Sequence, residues 1–507
     1  MLRAPLVNWD SMFSKVLIAN RGEIACRVIR TCQRLGIKTV AVYSEADQKA
    51  LHVQMADEAV KIGPPPATES YLRGDEIIKA ALKAKADAIH PGYGFLSEAP
   101  GFASAVEEAG IAFVGPSADV IARMGDKVAA RQQAKEAGVP VIPGTEGEIS
   151  DEEAAAAAAD IGFPLMVKAV DGGGGMGIRL VRDPAGLTEA LKRARSQAQG
   201  SFGSQRLYME RRVERASHVE VQVFGDKHGN VVHLFERDCS IQRRNQKVIE
   251  ETPCPKLKPD VRAAMTQAAV DLTKSIGYSN AGTIEFLLDE TGDHFYFLEM
   301  NTRLQVEHPV TEMTTGLDLV ELQLRVAAGE PLPITQDEIV QTGAAIEARI
   351  YPEDPVMMLP TAGTVAKLSE PTGFNVRVDG ALYSGYEVSP YYESMMSKLI
   401  VRGKDRETAI AGMRKALADY KIEGLVTNIP LVDRVLSHQR FADARHDTGF
   451  LERLLSGEDA GGDKALVAAI AVAMVLGQEQ AESHAPSRWK LHGRRQAMVN
   501  RLSSGMQ

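Results

Sequence analysis

AGTIEFLLDETGDHFYFLEMN, residues 281–301, sets two β-type runs on either side of a Thr-Gly turn, the pattern of a hairpin. Folded symmetrically about Gly292, it places position i against 584 − i, so Glu285 falls opposite Glu299. Directly opposed Cβ atoms lie roughly 4.5–5.5 Å apart, a spacing at which like charges destabilise a sheet. Asn301 follows Glu299 by two residues and so shares its strand face. Two carboxylates and a carboxamide on one inward face suit a hard cation such as Mg²⁺ shared with phosphate oxygens. Solvent-facing carboxylates on a two-sided sheet satisfy the same pattern, and the hairpin alone leaves both readings open.

TRLQVEHP (302–309) follows directly. Arg303 and Glu307 are four apart, which allows a helical ion pair or a turn over a site. A guanidinium grips a carbonate-like anion with two parallel donors, and an ionised Glu307 beside it is a candidate general base. Upstream, ERDCSIQRRNQK (236–247) gathers Arg237, Arg243, Arg244 and Lys247. At least half of such a charge run is expected on a solvated face. The remainder, near a carboxylate metal site, fits a polyphosphate substrate.

Further upstream, VDGGGGMGIR (170–179) holds four consecutive glycines. Glycine lets backbone N–H groups approach a bulky anion, although a plain flexible turn has the same composition. No Gly-Lys-Ser/Thr follows, so it is not a P-loop. It also lacks the G-x-G-x-x-G and capped helix of a dinucleotide fold. Towards the N-terminus, KVLIAN (15–20), the helical RGEIACRVIRTCQRLG ended by Gly36, and KTVAVYS (38–44) begin a βαβ rhythm. It continues through ADAIHPGYG and IAFVGPS, which predicts a parallel, doubly wound unit. MGDKVAARQQAKEAG (124–138) reads as one helix closed by Gly138. A Ser150-x-x-Glu153 capping box opens the next α+β piece, and from 214 strands dominate, starting with HVEVQVFG and its return NVVHLFE.

The chain has 507 residues, 44% hydrophobic and 25% charged, enough for about three domains. A net charge of −9 argues against nucleic acid or an anionic membrane as the main partner. Cys26, Cys32, Cys239 and Cys254 form no C-x-x-C pair and suit a reducing cytoplasm. The longest apolar run, 465–476, is too short to span a bilayer and reads as a docking helix.

IANRGEIA, HPGYGFLSE, GPS…MGDK, VKAVDGGGGMGIR, ERDCSIQRRNQKVIEE, EMNTRLQVEHPVTE and PYYESMMSKLI follow one another in the order and spacing of biotin carboxylases. The chain resembles that family over residues 12–455. The resemblance implies an ATP-grasp fold of mixed α/β and α+β class. Its implied parts are a Rossmann-like domain (12–120), a linker helix and lid with the glycine loop (121–213), an ATP-grasp core (214–340), a C-terminal domain (341–455) and a helical tail (456–507). It implies that Gly173, Gly174 and Gly175 close over ATP, with Lys127 and Lys168 on its phosphates. Glu210, Arg211 and Val213 would read the adenine, and His218, Gln242 and Leu287 would also contact the nucleotide. Glu285, Glu299 and Asn301 match the family's Mg²⁺ or Mn²⁺ positions. Lys247, Arg303, Gln305 and Val306 would hold bicarbonate, with Glu307 as the base that deprotonates it. Arg349 would stabilise the biotin enolate by charge, and Tyr93 would line the biotin pocket.

Two departures stand out. Asn245 occupies a position where some members have histidine, and Met176 one where Arg or Lys is frequent. No Ala-Met-Lys-Met biotinylation sequence occurs, so biotin is expected on a separate carrier protein or subunit. A homodimer and a carboxyltransferase subunit are the other expected partners. SRWKLHGRR (487–495) in the tail is a candidate docking segment. A different ATP-grasp ligase acting on an amine, or a scaffolding subunit without turnover, are the alternatives. Loss of any of the catalytic residues would favour the latter, and all are present.

Overall fold

The computed structural model describes residues 12–171, 178–355, 357 and 359–458. The apolar N-terminal runs form a parallel sheet of β1 (Lys15–Ile18), β2 (Lys38–Ser44), β3 (Glu58–Gly63), β4 (Ala88–His90) and β5 (Ala112–Phe113), ordered β3-β2-β1-β4-β5. Val16, Leu17 and Ile18 are fully buried because helices cover both faces of such a sheet. The helix after β1 spans Gly22–Arg34 and stops before Gly36, whose φ of +73° is the left-handed conformation that ends helices.

The single helix expected over 124–138 is two, Ala118–Gly125 and Lys127–Glu136. Asp126 breaks it. Its carboxylate accepts from the N–H groups of Val128 and Ala129, each at 2.9 Å, and a carboxylate prefers that capping role to a helix interior. Lys127 therefore starts a capped helix.

A three-stranded antiparallel sheet follows, β6 (Leu165–Ala169) between β7 (Ile178–Val181) and β8 (Leu207–Arg211). It has its own core, with Leu165, Val167, Leu191, Ala194 and Met209 among the buried residues. The capping box closes as the spacing predicts: Glu153 N–H donates to Ser150 Oγ and Ser150 N–H to Glu153 Oε2, each at 3.3 Å. Gly173, Gly174, Gly175 and Met176 lie outside the described residues.

The large sheet is wholly antiparallel. It comprises β9 (Ser217–Gly225), β10 (Val231–Arg243), β11 (Gln246–Thr252), β12 (Asn280–Leu288), β13 (Phe295–Asn301), β14 (Ala344–Ile350), β17 (Val376–Gly380) and β19 (Ser397–Gly403). Their order is β13-β12-β9-β10-β11-β14-β19-β17. Two small ribbons pair β15 (Gly363–Thr364) with β18 (Glu387–Val388) and β16 (Lys367–Ser369) with β20 (Lys421–Glu423). All of β9 is buried, its polar members included. The β10–β11 turn puts Arg244 and Asn245 at φ +49° and +65°, so Asn245 suits its position as a left-handed turn residue. The helix His308–Thr315 packs on the sheet through Val310 against Ala345 and Ile400.

The chain divides into two compact units, Met1–Gly449 and Phe450–Gln507. In the second, the helix Phe450–Ser456 is described; the apolar run 465–476 and SRWKLHGRR lie outside the described residues. Among the described residues no helix is long and apolar enough to cross a membrane.

Candidate active site

The hairpin register brings Thr283 opposite Asn301, Ile284 opposite Met300, and Glu285 opposite Glu299, then slips at Phe286, which faces Phe297. The symmetric expectation thus holds at the carboxylate pair, and the bulge lies on its turn side. Glu220 on β9 faces Glu285 on one side and Arg237 on β10 on the other. One row crosses four strands: Glu299, Glu285, Glu220, Arg237.

Three carboxylates in a row need cations, and the structure supplies them. Arg237, fully buried, donates from Nε to Glu220 Oε1 at 2.5 Å and from Nη1 to Gln222 and Thr311. Lys247 Nζ reaches Glu220 Oε2 at 2.6 Å, Glu307 Oε1 at 2.7 Å and Glu285 Oε1 at 2.8 Å. His218 Nε2 lies 3.1 Å from Glu285 Oε2. Burial opposes the charge on His218, but Glu285 outweighs it and raises the imidazole pKa.

Glu307 is the residue just before the helix His308–Thr315, so its carboxylate sits at the positive end of that helix. Its second oxygen accepts from Arg349 Nη2 at 3.0 Å, and Arg349 Nε donates to Glu250 at 2.6 Å. Burial would raise the Glu307 pKa, but Lys247, Arg349 and Arg237 overcome it and hold the carboxyl well below its usual range. Burial pushes Glu250 the other way, to about 7, against the pull of Arg349. Cys239 Sγ sits 3.7 Å from Glu307 Oε1.

Arg303 and Glu307 form neither a helical pair nor a hydrogen bond. Arg303 instead donates to Glu98 Oε2 at 2.9 Å, Gln305 Oε1 at 2.9 Å and Asn301 Oδ1 at 3.0 Å. Gln305 Nε2 approaches Glu285 Oε1 at 3.4 Å. Lys127 Nζ is 3.3 Å from Glu299 Oε2, tying the capped helix to the carboxylate pair. Glu210 on β8 holds Lys168 of β6 at 2.5 Å and Arg131 of the helix Lys127–Glu136 at 3.2 Å. Leu287 faces His218 across β12 and β9, and Gln242 Nε2 donates to Cys239 O at 3.4 Å. Arg211 is the exposed last residue of β8, and Val213 lies two residues beyond it. Tyr93 is half-buried with its hydroxyl unpaired among the described residues.

The donor set of the hairpin fits a hard cation. Glu285 and Glu299 are opposed, Asn301 shares their face, and the buried Asn301 Nδ2 has no hydrogen-bond partner among the described residues. His218, Glu220 and Glu285 also converge within 4.8 Å, but that space is served by the Lys247 ammonium. The charge run at 236–247 is more enclosed than the expected half on a solvated face: of its four basic residues only Arg244 is exposed. Arg244 is an exposed turn residue and Arg243 pairs with Glu353 at 3.1 Å, whereas Arg237 and Lys247 enter the site. Glu220 and Glu250 are site neighbours that the sequence alone did not single out. For Glu220 the signal was present in the polar residues His218, Glu220 and Gln222 at alternate positions of an otherwise apolar strand; the mostly polar QKVIEET of β11 gives no such signal for Glu250.

Residues 12–121 match the family described as biotin carboxylase, N-terminal domain; 126–335 match carbamoyl-phosphate synthase L chain, ATP binding domain; 347–453 match biotin carboxylase C-terminal domain. Biotin carboxylase 2 of Bacillus subtilis is 52% identical over 445 residues, 88% of this chain and 100% of that protein. A pyruvate carboxylase subunit of Methanothermobacter thermautotrophicus is 51% identical over 451 residues, 89% of this chain and 91% of that one. The biotin carboxylase domain dimer of Hydrogenobacter thermophilus 2-oxoglutarate carboxylase, crystallised with MgADP, ADP and bicarbonate, is 49% identical. It superposes with a TM-score of 0.84 over 87% of this chain and 98% of that one. With an ATP-grasp architecture and a matched family along nearly all of its described length, the chain belongs to the biotin carboxylases, ATP-dependent ligases.

Proposed function

We propose that the chain carboxylates biotin borne on a separate carrier protein or subunit, using ATP and bicarbonate through carboxyphosphate, as the first half-reaction of an acyl-CoA carboxylase. The observation that carries this reading is Glu307 fixed between Lys247 at 2.7 Å and Arg349 at 3.0 Å. A base, an anion-holding ammonium and a second cation for a developing enolate share one buried point. Glu307 takes the proton of bicarbonate while Lys247 and Arg303, with Gln305 and Val306, hold the anion. The oxygen so exposed attacks the γ-phosphoryl group, whose ADP leaving group is held by Lys127, Lys168 and the lid glycines. Breakdown of carboxyphosphate yields CO₂ and phosphate; the phosphate removes the N1′ proton of biotin, and Arg349 stabilises the enolate by charge. Tyr93 lines the biotin pocket. Glu210, Arg211, Val213, His218, Gln242 and Leu287 contact the nucleotide. Glu285, Glu299 and Asn301 would hold Mg²⁺, or Mn²⁺, which when bound neutralises charge on the transferred phosphoryl group.

The domain limits 12–120, 121–213, 214–340 and 341–455 are proposed on the same basis, as are a carboxyltransferase partner and a cytoplasmic setting. A homodimer is supported by the dimer of the Hydrogenobacter thermophilus domain. Four buried, unbridged cysteines agree with a reducing compartment. The decisive experiment is ADP release by the purified chain with MgATP and bicarbonate, with and without free biotin. Biotin-dependent turnover that collapses in Glu307→Ala and Arg349→Ala is the expected result. Turnover indifferent to biotin would reassign the acceptor.

A further inference from the structure

Lys398 lies on β19 with its side chain fully buried. Its register partners are Arg349 on β14 and Asp379 on β17, so it stands directly opposite another cation inside the protein. Like charges in that position destabilise a sheet, and a buried ammonium without a purpose is costly. The surroundings show where its donors go. Nζ donates to the carbonyl oxygen of Val306 at 2.7 Å. It lies 3.4 Å from Glu23 Oε1, on the helix Gly22–Arg34. It also stands 6.0 Å from the centre of the Tyr93 ring.

Val306 belongs to the short segment 302–307 that leads from β13 to Glu307, a segment held at several points, among them Thr302 N–H on Glu98 Oε1 at 3.0 Å and Gln305 Nε2 on Glu285 Oε1 at 3.4 Å. His308 Nδ1 lies 2.7 Å from Gln305 O, and the Arg303 side chain holds Gln305 and Asn301. The Val306 carbonyl is the backbone point at which Lys398 fastens the segment to the sheet, beside the side-chain ties of Gln305 to Glu285 and of Glu307 to Lys247 and Arg349. An ammonium donates more strongly to a carbonyl than a neutral group would. A hydrogen bond of 2.7 Å from a fully buried side chain fixes both the peptide plane of Val306 and the start of the next residue, Glu307. The buried pair with Glu23 then ties the same ammonium to the N-terminal domain that carries Tyr93.

We infer that Lys398 is a positioning residue that orients the Val306–Glu307 peptide, and so sets the geometry in which bicarbonate meets its base. It touches no reacting atom; it acts through Val306. The inference rests on the reading of Glu307 as the base.

The test is steady-state ADP formation with MgATP, bicarbonate and free biotin for the wild type, Lys398→Met and Lys398→Arg, with the KM for bicarbonate and for ATP measured separately. Amide hydrogen exchange is followed over residues 300–312. In Lys398→Met the KM for bicarbonate should rise at least about tenfold, because misplacement of reacting groups by about an ångström is felt on that scale or beyond. The KM for ATP should stay within about twofold, and exchange over 300–312 should quicken. Lys398→Arg, which keeps a charged donor, should recover part of the loss. Should Lys398→Met not fold, the double variant Glu23→Gln/Lys398→Met removes both buried charges and is measured in its place. Unchanged bicarbonate KM in a folded variant overturns the inference. Equal loss of both substrates also overturns it, leaving a purely structural role. A wild type without biotin-dependent turnover overturns instead the underlying reading of the site.

Discussion

Glu285 and Glu299 stand directly opposite each other in the β12–β13 register, and each leans on a different cation: Lys247 at 2.8 Å for the first, Lys127 at 3.3 Å for the second. On the proposed reading, Lys127 moves to the ATP phosphates and the two carboxylates, each with its own counterion, would hold a divalent ion. Glu299→Gln keeps the shape and removes one hard donor. The Mg²⁺ concentration for half-maximal turnover should rise about tenfold or more, with little change in melting temperature. A Mg²⁺ titration checks it; an unchanged midpoint would mean that the pair serves Lys127 alone.

Arg237 is the cation on which the buried row depends. It is fully enclosed and gives Glu220 its shortest contact, 2.5 Å. Removing one partner of a buried pair leaves an uncompensated charge and costs about 3–5 kcal/mol. Arg237→Met should therefore melt far below the wild type. Adding Glu220→Gln, which removes the stranded charge, should recover more than half of the loss. Calorimetry of the two variants decides the matter: equal melting temperatures would show that Arg237 matters for packing and not for charge.

Asp126 offers a milder test. Its carboxylate caps the helix that begins at Lys127, with Arg206 Nη2 3.2 Å from its other oxygen. Losing such a cap costs about 1 kcal/mol. Because the cap also fixes the first residue of the helix, Asp126→Ala should raise the KM for ATP several-fold and leave the KM for bicarbonate nearly unchanged. Parallel changes in both constants would contradict a local effect on Lys127.

The hairpin was legible from its two β-type runs and the turn between them, but its register was only partly so: next to the turn the pairs run one residue off the Gly292-centred expectation, with Phe286 opposite Phe297, and a bulge between Glu285 and Phe286 brings Glu285 opposite Glu299. The capping box at Ser150 was readable because both partners lie within four residues. The break at Asp126 was hidden by the strong helical composition on either side, which outweighs a single capping residue until the backbone is seen. Glu220, Arg237, Glu250 and Lys398 were not readable as a set. They lie on β9, β10, β11 and β19, and their meeting depends on an order of eight strands that no local pattern encodes. The same limit applies to Arg303, whose partner Glu98 is 205 residues away in sequence.

Glu23 carries the last prediction, and its sign follows from linkage. It is enclosed under Lys398, and neither carboxylate oxygen makes a hydrogen bond among the described residues. Burial raises its pKa to about 7, with Lys398 pulling the other way. An acid whose folded pKa lies above its unfolded one binds more protons when folded, so stability falls as pH rises between the two values. The window runs from about 4.5 to about 7, and the full effect is on the order of 3 kcal/mol. Glu23→Gln stays neutral throughout and escapes that loss. The melting temperature of the variant minus that of the wild type should therefore increase from pH 5 to pH 8 and level off above it. Glu250, also raised to about 7, is present in both proteins and cancels in the difference. A difference flat across that range would mean that Lys398 keeps Glu23 ionised at all pH values, with the pair acting as a fixed salt bridge.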